Sequence, residues 1–221
     1  MKVCTDACLF GAWAAGYIAR FHPKAKNILD IGTGTGLLSL MLAQKIQAHI
    51  DTVEIDKEAA SQARENFMAS PWDNISLHNT SILEFKSEIK YDVIITNPPF
   101  YEGSLLSPIG NRNAAMHDRY LTLEDVIQSV LTFLAEKGYA AILLPFSREA
   151  EFCSMLSTHP LFIAEIMRVR QSVNHTFFRS MLFISRERQP PTNYSAISIH
   201  NHDRSYTQDF KELLKDYYLN L

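Results

Sequence analysis

The spacing of apolar positions changes character twice along the 221-residue chain. Residues 27–31, 49–55, 75–78, 91–96 and 139–144 are short apolar or alternating runs of strand length, several of them bounded by Gly, Pro or Asn. Helical patterns lie between them. Residues 37–46 (LLSLMLAQKI) are so apolar that the helix they predict packs on a sheet. Residues 57–69 are rich in the good helix formers Glu, Ala, Gln and Arg. In the helix predicted over 122–136, Thr122 and Asp125 have capping-box spacing. An Ala-rich, aromatic helix is expected over 6–21, with Thr5 or Asp6 as N-cap. Strand–helix alternation from 27 to 145 predicts βαβ units and a parallel, doubly wound sheet. Beyond Pro160 the period shortens. Residues 162–170, 177–185 and 194–199 read as successive strands with short connections, and about 207–219 as a final amphipathic helix. The expected fold class is α/β, a mostly parallel doubly wound sheet with antiparallel strands at the C-terminal edge. The whole chain, 1–221, is expected to form one domain: an N-terminal helical segment (1–26), a core (27–150), and C-terminal strands with a helix (151–221).

Composition narrows the class. At 47% hydrophobic and 20% charged residues the chain is globular, which excludes disorder and collagen-like structure. Its longest apolar stretches are too short to span a bilayer, and its N-terminal region does not read as a signal peptide. Cys4, Cys8 and Cys153 form neither a CxxC pair nor a metal-ligand spacing, so a reduced cytoplasmic protein with no metal is expected. No obligate protein partner is evident. The net charge of −3 argues against a strongly basic nucleic-acid protein. The charge is uneven, however: residues 161–190 carry Arg168, Arg170, Arg179, Arg186 and Arg188 against Glu165 and Glu187 alone.

Only 8 glycines occur, and three of them, Gly32, Gly34 and Gly36, fall within five residues between the first strand and the next helix. Ligands of open α/β sheets bind at the carboxyl ends of the strands, and glycine lets the backbone turn sharply and approach a ligand closely. The spacing is GxGxG rather than the GxGxxG of dinucleotide folds. Asp30 precedes the cluster and can accept from an ammonium group, directly or through water. NAD has no such group, whereas S-adenosylmethionine has one. Glu54, closing the second strand, can accept from both hydroxyls of a ribose.

Asn97-Pro98-Pro99-Phe100 follows the fourth strand. Two prolines stiffen this corner and remove two backbone donors, leaving carbonyl acceptors. With the Asn97 side chain, they can take both hydrogens of an exocyclic amine and hold its lone pair toward an incoming methyl group. Phe100 can stack on a planar base. No strong general base is needed, because the amine can lose its proton after attack, and rate comes from alignment and electrostatics.

Together the glycine loop with its acid, Glu54 and the NPPF corner resemble class I S-adenosylmethionine-dependent methyltransferases of the amino-methylating kind. A narrower resemblance, to the bacterial tRNA(Val) adenine-N6 methyltransferases, is carried by the opening block from Met1 to Trp13, by Ser70-Pro71-Trp72, by Arg112, Ala115 and His117, and by Asn193-Tyr194-Ser195. The resemblance covers essentially the whole chain. It implies a Rossmann-like methyltransferase fold, S-adenosyl-L-methionine as cofactor and tRNA as partner, with the target the adenosine just 3′ of the anticodon. It implies cofactor contacts at Thr5, Asp30, Gly32, Gly34, Gly36, Glu54, Ile55, Ser81 and Ile82, and a catalytic corner at Asn97, Pro98, Pro99 and Phe100. Ser81 stands where the family usually has an acid near the cofactor adenine, and would bind the adenine amine more weakly than a carboxylate. The family also carries a segment, often basic and aromatic, ahead of the block beginning at Lys2.

RNA affinity rests on neutralising phosphates, and Arg112, Arg119, Arg168, Arg170 and Arg179 are the candidates. Charge reversal at Arg168 and Arg179 is expected to weaken RNA binding and spare cofactor binding. Residues 101–119, irregular and directly after the active-site corner, are a candidate lid. The alternatives are the same chemistry on rRNA guanine N2, protein glutamine or DNA adenine, or a non-catalytic cofactor-binding scaffold.

Overall fold

The computed structural model describes residues 4–98, 121–188 and 191–220. Its centre is an eight-stranded sheet whose strands are β1 (Asn27–Ile31), β2 (His49–Val53), β3 (Ile75–His78), β4 (Tyr91–Thr96), β5 (Leu134–Pro145), β6 (Phe162–Ser172), β7 (Phe177–Ser185) and β8 (Asn193–His200). Their order across the sheet is β3-β2-β1-β4-β5-β7-β6-β8. The helices are α1 (Thr5–Phe21), α2 (Leu37–Ala43), α3 (Lys57–Ala69), α4 (Leu123–Phe133), α5 (Glu149–Leu156) and α6 (Gln208–Leu214).

The sheet is parallel except at β7, which runs antiparallel to both β5 and β6. Of the antiparallel strands expected at the C-terminal edge, only β7 is antiparallel, and it lies inside the sheet. The outermost strand, β8, pairs parallel with β6. A hairpin between β6 and β7 tucks β7 back against β5, which is how three strands with short connections extend a parallel sheet.

Both faces are buried. One core holds Leu9, Phe10, Trp13, Ile28, Leu42, Ile50 and Phe210 beneath α1, α2 and α6. The other holds Leu29, Ile94, Ile127, Ile142, Phe152 and Leu182 beneath α4 and α5. Burial on both faces explains why Val93-Ile94-Ile95 in β4 read as a continuous apolar run rather than an alternating one.

Several boundaries differ from the sequence reading. The capping box is present, since Thr122 accepts from the Asp125 backbone while the Asp125 carboxylate accepts from Thr122. But α4 ends at Phe133, and residues 134–138 join β5, because Leu134 pairs with Tyr91 and Gly138 lies close against the carbonyls of Tyr91 and Asp92. α5 has no counterpart in the sequence reading. The N-cap of α1 is Cys4, not Thr5 or Asp6. The final helix, capped by Thr207, stops at Leu214 and turns there, with the backbone N–H groups of Tyr217 and Tyr218 both donating to Leu214.

Candidate active site

In strand order the chain leaves β1 in one direction, through α2 to β2, while β4 lies on the other side of β1. This reversal is the switch point at which open α/β sheets bind ligands, outside the carboxyl ends of the strands. It sets the glycine loop after β1 beside Asn97-Pro98 after β4. A cleft of about 1410 Å³ opens there, larger than a single small-ligand site needs.

The loop is folded by its glycines and two acids. Gly32, Gly34 and Gly36 all adopt left-handed φ angles of 70°, 59° and 86°, which side-chain-bearing residues resist. Space as well as φ demands glycine at 36, where a Cβ would stand 2.3 Å from the Phe67 ring. A Cβ at Gly32 would instead meet nothing within 4 Å, so the backbone there faces open space. The N–H groups of Gly32 and Thr33 donate to the Val53 carbonyl, tying the loop to the end of β2. Glu54 holds it from the side: one carboxylate oxygen accepts from Gly34 N–H at 2.8 Å and the other from Asp56 N–H at 2.9 Å. Each oxygen retains a second lone pair for a hydroxyl donor.

Asp30 is fully buried behind the loop. Its Oδ2 accepts from Thr33 Oγ1 at 2.7 Å and Ser39 Oγ at 2.6 Å, while its Oδ1 has no partner among the described residues. Burial lifts its carboxyl from 3.8 to about 6, against the hydrogen bonds from Ser39 and Thr33, with a further upward push from the Glu54 charge. A buried carboxylate with an orphaned oxygen lacks a counter-charge, and an ammonium group outside the loop would supply one.

Asn97 and Pro98 line the opposite wall. Thr96 Oγ1, fully buried, donates to the Ile31 carbonyl at 2.9 Å and locks the ends of β4 and β1 together. The corner therefore starts from a fixed point. Among the described residues no hydrogen bond occupies the Asn97 amide.

Of the other expected cofactor residues, Ile55, Ser81 and Ile82 line the cleft. Asp30 and Gly36 stand behind it and shape the loop. Thr5 does not line it, since its hydroxyl faces Tyr218; its neighbours Cys4, Asp6 and Ala7 do. Ser81 Oγ accepts from Leu83 N–H at 3.3 Å. Not anticipated was Asn79, which lines the cleft and donates its amide to the Glu54 carbonyl at 2.7 Å. Gln62 and Asp125 also line it, and nothing in their sequence spacing signals this. Pro99, Phe100, Arg112, Arg119 and the candidate lid lie outside the described residues.

The three described arginines differ in what holds them. Arg179 lines the cleft and donates to Asp6 at 2.8 Å, joining β7 to the first turn of α1. Arg168 makes a two-pronged pair with Glu149, 2.6 Å at its shortest, and Ser180 Oγ donates to the same carboxylate. Arg170 donates to Ser198 Oγ at 2.8 Å and to the Val173 carbonyl at 3.3 Å. Reversing Arg168 and Arg179, expected to weaken RNA binding and spare cofactor binding, also has a structural consequence. Reversal would set like charges against Glu149 and Asp6 and disturb α5 and the cleft wall as well.

The comparisons agree with this geometry. Residues 17–140 match the methyltransferase small domain family. The chain is 37% identical, over all of its length and 92% of the relative's, to a tRNA1(Val) (adenine(37)-N6)-methyltransferase of Christiangramia forsetii. It is 39% identical to the protein of that name from Dyadobacter fermentans, over 99% of this chain and 91% of the relative. Among solved structures, a predicted O-methyltransferase from Agrobacterium tumefaciens superposes with a TM-score of 0.68 at 16% identity, covering 97% of this chain and 99% of the other. The ribosomal protein L11 methylase of Lactobacillus delbrueckii subsp. bulgaricus gives 0.59 at 21% identity, over 80% and 77%. At such identities the structures speak for the fold alone, but the full-length relatives speak for more. Joined to a glycine loop and an Asn-Pro corner facing each other across one cleft, they make the chain a member of the tRNA1(Val) adenine-N6 methyltransferase family of class I S-adenosylmethionine-dependent enzymes.

Proposed function

We propose that the protein transfers a methyl group from S-adenosylmethionine to the exocyclic N6 amine of an adenine in tRNA, the adenosine 3′ of the anticodon of tRNA(Val). The observation that carries this reading is the meeting of two unlike walls at the switch point. One is an acid-backed glycine loop suited to a cationic nucleoside. The other is a stiff Asn97-Pro98 corner suited to an amine. The relatives' names favour tRNA as the acceptor class.

S-adenosylmethionine supplies an electrophilic methyl group on sulfonium. The chain's own residues bind and align. Asp30 provides negative charge behind the loop for the ammonium, and the backbone at Gly32 leaves room for close approach. Glu54 offers its remaining lone pairs to ribose hydroxyls, and Ile55 and Ile82 offer apolar surface to the adenine. Ser81 and Asn79 supply neutral polar groups on that wall, where an acid is usual. Across the cleft Asn97 and the Pro98 carbonyl hold the target amine by both hydrogens. Alignment of lone pair and methyl group then provides most of the rate. A tRNA substrate and three free thiols favour the cytoplasm as its compartment.

The test is transfer of labelled methyl to total tRNA followed by nucleoside analysis. The expected product is N6-methyladenosine in the anticodon loop of tRNA(Val). Label found only in protein overturns the reading.

A further inference from the structure

Beyond β5 the sheet carries a feature that methyl transfer itself does not require. Tyr194, Arg168, Phe146, Phe177 and Arg170 form an unbroken ladder of flat groups. The Arg168 guanidinium carbon lies 5.6 Å from the ring centroids of both Tyr194 and Phe146. The Phe146 and Phe177 rings are 5.5 Å apart, and Arg170 lies 5.6 Å from Phe177. Strand register builds this. Ile166, Arg168 and Arg170 pair with Tyr194, Ala196 and Ser198, so arginines and tyrosine share a sheet face.

The inner rungs of the ladder adjoin the cleft. Phe146 follows Pro145, and Phe177 is two residues from Arg179, both of which line the cleft. It ends on edge strand β8 at Tyr194, which is 62% exposed. Flat rings and guanidinium planes are the surfaces on which unpaired bases stack. The arginines divide the work. Glu149 offsets the charge of Arg168, leaving it a planar rung. Among the described residues Arg170 makes no ion pair, so its charge is available to a phosphate. The opposite side of the cleft carries Glu54, Asp56, Glu58 and Glu84, which repel a polyanion.

We propose that single-stranded RNA enters the cleft across β5, β7, β6 and β8, with nucleotides flanking the target base stacked on this ladder. The proposal rests on the reading above that the acceptor is an RNA base.

The test pairs fluorescence anisotropy of a labelled anticodon-arm RNA hairpin with methyl-transfer kinetics on a tRNA(Val) transcript. Removing one stacking ring by Tyr194→Ala or Phe177→Ala is expected to raise both the RNA Kd and KM about tenfold. At saturating RNA, kcat should hold, as should donor affinity by calorimetry. Tyr194→Trp should bind as wild type, because it keeps a ring. Arg170→Gln should lower the salt slope of binding by about one, the signature of one lost phosphate contact. Since Tyr194 is exposed, its variant keeps the test open if Phe177→Ala fails to fold. Unchanged Kd and KM in Tyr194→Ala overturn the proposal, as does a fall in kcat at constant KM. Methylation by wild type with indifferent variants would sink the ladder alone. Tyr194-dependent binding without methylation would sink the activity alone. Neither binding nor methylation would overturn both.

Discussion

The carboxyl edge of the sheet has two sides of opposite chemistry. On the β1–β2 side the charged groups are acids: Asp30 buried with one oxygen orphaned, Glu54 clamped on backbone N–H groups. On the β5–β8 side they are arginines interleaved with aromatic rings, two of the three held by carboxylates. Asp51, one strand over from Asp30, shows what a purely structural buried acid looks like. It accepts from Tyr91 at 2.9 Å and has His78 at 2.7 Å and His49 at 3.4 Å, so both oxygens are satisfied. The difference between Asp30 and Asp51 teaches that burial alone does not mark a site. An unmet hydrogen-bond acceptor beside a glycine loop does. By the same test Glu149 belongs to the fold, because Arg168 and Ser180 saturate it.

The line between the two sides runs through Asn97, and the largest effect is expected there. Asn97→Ala should cost methyl transfer roughly a hundredfold or more while donor affinity stays within about twofold. Labelled transfer and calorimetry on the same preparation check this, and a variant that turns over normally would erase the division. A smaller effect tests the structural role of Glu149. Glu149→Ala strands Arg168 and Ser180 and should cost about 2 kcal/mol, lowering Tm by roughly 5 °C, with donor affinity unchanged. Thermal denaturation and calorimetry read both quantities, and loss of donor affinity would mean that the two sides are not separate.

The smallest effect sharpens the contrast between the aspartates. Because burial raises the Asp30 carboxyl to about 6 in the fold, its protonated form persists up to about that pH and the carboxylate predominates above it. Without donor, this carboxyl costs the protein stability as pH rises from about 4 to 6, and the cost persists above that. A bound ammonium opposes the upward shift. Donor affinity should therefore strengthen as pH rises through 6, about tenfold between pH 5 and 7.5. Asp30→Asn should flatten the profile. Calorimetry across that range gives the answer, and an unchanged slope in Asp30→Asn would assign the dependence elsewhere.

How much of this was legible in the sequence varies from element to element. Strands β1, β3 and β4 show their bounds directly, because short apolar runs end at glycine, asparagine or proline. The glycine loop and Asn97-Pro98 are legible because rare residues at fixed spacing leave few alternatives. The start of β5 is not: residues 134–136 continue a helical pattern that pairing with Tyr91 overrides. α5 escaped because its eight residues are too few for a clear period. The candidate RNA arginines were visible as charges, but their partners were not. Asp6 and Arg179 are 173 residues apart, and Glu149 and Arg168 lie on different elements.

Local pattern by itself determined the α/β class, the glycine loop with its two acids, the stiff corner after β4 and the kind of cofactor. These are properties of a few neighbouring residues, governed by backbone sterics and side-chain chemistry. Tertiary structure alone decided that β7 inserts between β5 and β6, that Asp30 is left with an orphaned oxygen while Asp51 is saturated, and which arginine keeps a charge to offer. Those outcomes depend on long-range pairing and on burial, which exist only once distant segments have packed.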